Sequence, residues 1–252
     1  MSTEFLILAA AAVIIGGFIK GISGFGYAVV STSLLASLFN PADAVAFMIL
    51  PLIAIQLELL NNLDREEIKT CTNNFKPYTL GITAGTILGF YSLSLVPTDT
   101  IKLVLGVLTF VFALSRTGRF SLGIEKLQRK CFRRSGKVQI PLGVASGIIF
   151  GGTNIGVQVV AYLKTMDMPN RKFVGLLALV MIPVSALRLP LVINQAGAAE
   201  LIAYSVLVAP LSIISAYLGR KIAKYISEPR IEQITVSLLF LIAANLVGSV
   251  VL

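Results

Sequence analysis

Apolar residues dominate the chain in long runs, cut by short polar or glycine-rich interruptions. The runs cover residues 5–19, 26–39, 41–60, 77–95, 101–115, 138–150, 157–163, 173–193, 200–218 and 231–252, with a polar stretch at 116–137. Several approach or reach the roughly 20 residues that span a bilayer. Turns are expected at Asn40-Pro41, Pro77, Pro97, Pro169-Asn170 and Pro229. Two interruptions differ from these because they fall inside apolar sequence. In Ile15–Tyr27, five of thirteen residues are glycine and Lys20 sits in the middle. Each glycine costs a helix about 1 kcal/mol relative to alanine, so a break between two short helices is predicted over 20–26. A second break is predicted around Gly151–Gly156.

The two halves repeat one another. A shift of 130 residues places Gly17 on Gly147, Gly21 on Gly151, Gly26 on Gly156 and Asn40 on Asn170. A shift of 132 places Pro51 on Pro183 and Gln56 on Arg188. The predicted organisation is a first membrane repeat over 1–115, a basic cytoplasmic linker over 116–137 and a second membrane repeat over 138–252.

Basic residues decide how the repeats are related. If each glycine-broken run folds back as a hairpin, each half makes an odd number of crossings and the halves are inverted. Stretches 61–76, 116–137, 164–172 and 219–230 then share the cytoplasmic side. They hold three, eight, three and four basic residues, 18 of the 21 in the chain. With single crossings instead, the basic stretches 164–172 and 219–230 would lie outside, against that rule. Length agrees for the first run, since 35 residues of helix would extend about 52 Å across a core of about 30 Å. The fold class expected is an all-α polytopic membrane protein built of two inverted repeats, each a glycine-broken helical hairpin plus three transmembrane helices. Both chain termini are expected outside.

Composition agrees with this and excludes other classes. The chain is 56% hydrophobic and 13% charged. The net charge of +9 resides in loops, so it reads as topology-setting charge and not as a nucleic-acid surface. The chain has no histidine, and its two cysteines, Cys71 and Cys131, are far apart. No His-ligated metal, histidine proton relay or disulfide framework can be built from these. The run Phe5–Ile19 lacks the flanks of a signal peptide.

Broken helices at matching positions of two inverted halves point to a transporter's binding site, and a half-helix N-terminus favours an anion. Lys20 and Arg188 are the intramembrane cations, and such charges usually have a role. For Lys20 the alternative is a stem reaching along the hairpin to water, and for Arg188 it is snorkelling to the interface. Ser23, Thr153 and Asn154 can donate to an oxyanion or cap helix ends. Gln56 is either the neutral counterpart of Arg188 or interhelical glue. Gly21, Gly24, Gly26, Gly151, Gly152 and Gly156 would bring backbone to the ligand, with Tyr27 and Gln158 just beyond the breaks. Glu58, the only carboxylate well inside a predicted span, could take a coupling proton, but reads first as a helix-end residue.

Gly21-Ile-Ser-Gly-Phe-Gly26 and Gly151-Gly-Thr-Asn-Ile-Gly156, each early in one half of a membrane chain of this length, resemble the sulfite exporter TauE/SafE family. The resemblance extends to the duplicated layout and the basic central loop. It implies a secondary transporter of sulfite, sulfonates or similar small anions in the bacterial inner membrane, acting in export, with no cofactor, no metal and no enzymatic activity. The partners implied are the anion and the lipid bilayer, without nucleic acid; a homodimer is compatible with the sequence. The family's glycine motif often continues with a further glycine and then a proline, where this chain has Tyr27, Val157 and Ser31-Thr32-Ser33. The competing function is a non-transporting assembly or sensory partner, which would have no use for intramembrane breaks beside a cation.

Overall fold

The computed structural model describes residues 3–23, 26–60, 63–116, 136–164, 170–193, 198–223, 225 and 228–251. Most of the expected linker at 116–137, with Cys131, lies outside the described residues. The elements are helices: α1 (Thr3–Ser23), α2 (Tyr27–Leu38), α3 (Pro41–Phe47), α4 (Ile49–Leu60), α5 (Arg65–Leu95), α6 (Thr98–Arg116), α7 (Gly136–Thr153), α8 (Val157–Lys164), α9 (Asn170–Ile193), α10 (Ala198–Ala223) and α11 (Glu228–Val251). Among the described residues, five stretches are long and apolar enough to cross a membrane: Glu4–Ile22, Pro41–Leu60, Lys172–Ile193, Ala199–Ala223 and Gln233–Val250.

Three boundaries differ from the sequence expectation. Pro77 makes no turn: α5 begins at Arg65 and runs 31 residues through it. Glu67 accepts the Asp64 N–H at 3.1 Å, a first-turn contact that starts the helix twelve residues ahead of the proline. The first break is shorter than predicted, because α1 continues through Lys20 and Gly21 to Ser23. The second is shorter too, because α7 continues through Gly151 and Gly152 to Thr153. Gly21 and Gly151 serve helix packing, which explains why glycine there does not end the helix.

That packing is very close. On α5, Gly81, Gly85 and Gly89 face Gly143, Gly147 and Gly151 of α7, a four-residue spacing on both helices. A Cβ added to Gly85 would collide with the Val144 carbonyl, and one added to Gly147 with the Ile82 carbonyl. Small residues at this spacing let helix backbones approach where lipid offers no hydrophobic drive for association. The pair α1 and α10 is built alike: a Cβ on Gly21 would meet the Ala216 carbonyl, and one on Gly219 the Phe18 carbonyl.

The contacts between halves are reciprocal. Helix α1 of the first half packs on α10 of the second, and α7 of the second packs on α5 of the first. By the repeat shift, α1 corresponds to α7 and α5 to α10. The corresponding helices α4 and α9 pack on each other, as do α6 and α11. One core therefore draws on both halves, from Phe5 and Leu35 to Val208 and Leu246. Buried hydroxyls bridge its helices: Ser31 Oγ donates to the Ala12 carbonyl at 3.0 Å, and Ser33 and Thr109 share a hydrogen bond of 2.8 Å.

Candidate functional site

The two interruptions lie at Gly26 and at Asn154–Gly156. Gly26 has φ +92°, a left-handed conformation that glycine adopts without steric penalty. It caps α2 by its carbonyl alone, accepting from Val30 N–H at 2.9 Å, with no side chain to satisfy the first turn. Among the described residues Asn154 is the only non-glycine with positive φ, at +60°. Asparagine tolerates this region better than most side chains. Three bonds close the end of α7: Asn154 N–H to the Phe150 carbonyl (2.8 Å), Thr153 Oγ1 to the Ile149 carbonyl (2.6 Å), and Ile155 N–H to Thr153 Oγ1 (3.1 Å). Gln158 Nε2 ties the second hairpin together by donating to the Ser146 carbonyl at 2.8 Å and the Ile155 carbonyl at 3.0 Å.

Asn154 joins the halves. Its Nδ2 donates to the Val45 carbonyl of α3 at 2.9 Å and reaches Thr32 Oγ1 of α2 at 3.5 Å. Its Oδ1 accepts from Arg188 Nη1. The second interruption is thereby held against α2 and α3 of the first half.

A cavity of about 70 Å³ opens between the two interruptions. That is several times the roughly 10–15 Å³ needed to hold one water. Six of the residues singled out from the sequence line it together: Lys20, Gly26, Tyr27, Gln56, Asn154 and Gly156. Apolar walls come from Leu52, Phe112, Phe150 and Met181. Gln56 is buried with Oε1 unpartnered. The Tyr27 hydroxyl lies within reach of Ser212 yet makes no hydrogen bond. Lys20 is half-buried and feels the Glu58 carboxylate and the Arg220 guanidinium.

Other predicted residues lie elsewhere. Gly21 and Gly151 are at helix–helix contacts, and Gly152 sits beside Gly89 of α5. Thr153 and Gln158 spend their polar groups on the hairpin's own backbone. Arg188 does not snorkel: it is fully buried, and it stands behind Asn154 and Phe150 without lining the cavity. Gly24 and the side chain of Ser23 lie outside the described residues. Glu58, read first as a helix-end residue, forms an ion pair with Arg220 of α10. Nothing in the local sequence of either residue indicates that contact, since Arg220 sits in a basic stretch 162 positions away.

Two interrupted helices meeting beside a cation, among described residues whose elements are all helices and include several membrane-length apolar stretches, define a polytopic membrane protein with an internal polar site. More narrowly, the chain belongs to the sulfite exporter TauE/SafE family, whose model matches residues 8–246. The family is one of membrane transporters. No curated protein and no solved structure matches the chain.

Proposed function

We propose that this protein is a secondary transporter that moves small sulfur oxyanions, such as sulfite or short sulfonates, out across a bacterial inner membrane. The observation that carries this reading is the convergence of both helix interruptions and Lys20 on one cavity. The N-terminal ends of α2 and α8 would each contribute free N–H groups and about half a positive charge, and Lys20 a full one. Gln56, Tyr27 and Asn154 would add neutral hydrogen bonds. Such a site selects by charge and by oxygen acceptors.

Two inverted repeats would let one site be reached from either face, by rocking one helix set against the other. The reciprocal contacts of α1 with α10 and of α7 with α5 support a two-fold relation between the halves. The clustering of 18 of 21 basic residues in stretches that share one side under inversion supports its sense. The driving force would be a proton gradient or the anion's own gradient.

The test is a flux assay in proteoliposomes loaded with sulfite, run with and without an imposed pH gradient. Sulfite movement above protein-free vesicles is expected, reduced in Lys20→Ala. No movement of sulfite or of any short sulfonate would end the proposal.

A further inference from the structure

Arg188 carries donors that no contact uses. Its guanidinium lies between two rings, with Cζ 5.5 Å from the centroids of both Phe90 of α5 and Phe150 of α7. Nη1 is bonded to Asn154. Nε and Nη2 have no hydrogen-bond partner, although the side chain is completely buried. These two nitrogens form one edge of the guanidinium. It is the edge that donates side by side to two oxygens of a carboxylate or similar oxyanion. No carboxylate among the described residues acts on it. One turn earlier on α9, the Ser185 hydroxyl is also buried and unpartnered. Residues three apart on a helix are neighbours on one face.

A buried guanidinium with no counter-charge is strongly unfavourable, and an open fork of donors in the same place compounds the cost. Both deficits are removed by one small oxyanion. We propose that the Nε–Nη2 edge of Arg188, with Ser185 beside it, is a second oxyanion station, set behind Asn154 from the cavity that Lys20 lines. The inference rests on the anion-transport reading. Asn154 links the two groups, lining the cavity while its Oδ1 holds Nη1. Two stations in series also answer a difficulty of a single strong site: an ion must bind well enough to enter and weakly enough to leave. A second cation drawing on the same anion eases its departure from the first.

The test is calorimetric binding of sodium sulfite and of sodium chloride to the full chain in detergent. Sulfite offers several oxygen acceptors to a fork, whereas chloride is a single point acceptor. The parent should bind sulfite in preference to chloride. Arg188→Lys keeps the charge and loses the fork, so sulfite affinity should fall about tenfold or more while chloride changes little, as two charge-assisted hydrogen bonds imply. Ser185→Asp guards against misfolding of the first variant, because it sets a carboxylate one turn from the guanidinium at a position outside the cavity lining. It should occupy the cation internally and lower sulfite affinity by a similar factor. Parental sulfite affinity and preference in either folded variant would overturn the second station. Absence of sulfite binding in the parent would instead overturn the anion-transport reading on which it rests.

Discussion

Arg220 holds Glu58 through both terminal guanidinium nitrogens, Nη1 donating to Oε2 at 3.0 Å and Nη2 to Oε1. The bond joins α10 to α4, and Lys20 of α1 lies within range of both charges. A carboxylate that close to Lys20 would compete with any anion in the cavity. Arg220 occupies that carboxylate and leaves Lys20 available. In Arg220→Gln we therefore expect Glu58 to turn to Lys20 and sulfite affinity to fall about three- to tenfold, on the order of 1 kcal/mol for a partly exposed pair. The double variant Glu58→Gln/Arg220→Gln should recover parental affinity. Calorimetry on both decides it; parental affinity in the single variant would show that Glu58 does not compete.

The contact between α5 and α7 makes a sharper stability prediction. At Gly85 and Gly147 an added methyl meets backbone carbonyls, which no rotamer change can move. Gly85→Ala or Gly147→Ala should each lose about 1–3 kcal/mol, as overpacked cores do. Gly248 of α11 has open space at the same position, and Gly248→Ala should melt like the parent. Thermal denaturation in detergent followed by size-exclusion chromatography measures all three. Equal midpoints would mean the two helices do not approach so closely.

The glycines at the interruptions should not behave alike. Gly26 has space around it and a left-handed backbone, so Gly26→Ala is opposed by conformation, at about 1–2 kcal/mol. Gly26→Asn should be milder. At Gly156 the nearest atoms to an added Cβ are the Met181 sulfur and a Phe150 ring carbon at 3.7 Å, an ordinary contact, and no left-handed backbone opposes it. Gly156→Ala should retain most stability and flux. Equal damage at both positions would contradict the distinction.

Cys71 reports on sidedness. It is half-buried in the polar first part of α5. Burial pushes its thiol above the ordinary range, the Glu67 carboxylate adds to this, and Lys172 partly opposes it. The thiolate is the reactive form, so labelling should be slow at neutral pH and accelerate as pH rises through and above the usual thiol range. A membrane-impermeant maleimide should leave Cys71 and Cys131 unlabelled in intact cells and reach Cys71 after permeabilisation. Labelling in intact cells would place the basic stretches outside and exclude the inverted arrangement.

The apolar runs and the two glycine-rich interruptions are legible in the chain, because hydrocarbon demands continuous apolar helix and penalises every departure from it. Lys20 and both interruptions stood out for the same reason, and they do meet at one cavity. The purposes of individual glycines did not. Gly21, Gly26, Gly151 and Gly156 look equivalent in one dimension. Only the neighbours show that Gly21 and Gly151 admit another helix while Gly26 turns the chain. Pro77 likewise reads as a terminator, whereas the helix already started at Arg65 carries through it. The partners of buried charge were the least legible. That Arg188 meets Asn154 between two phenylalanine rings, and that Glu58 meets Arg220, depends on contacts spanning 34 and 162 positions. Periodicity records which face of a helix is buried. It carries no record of which distant side chain that face will meet, and tertiary packing alone decides it.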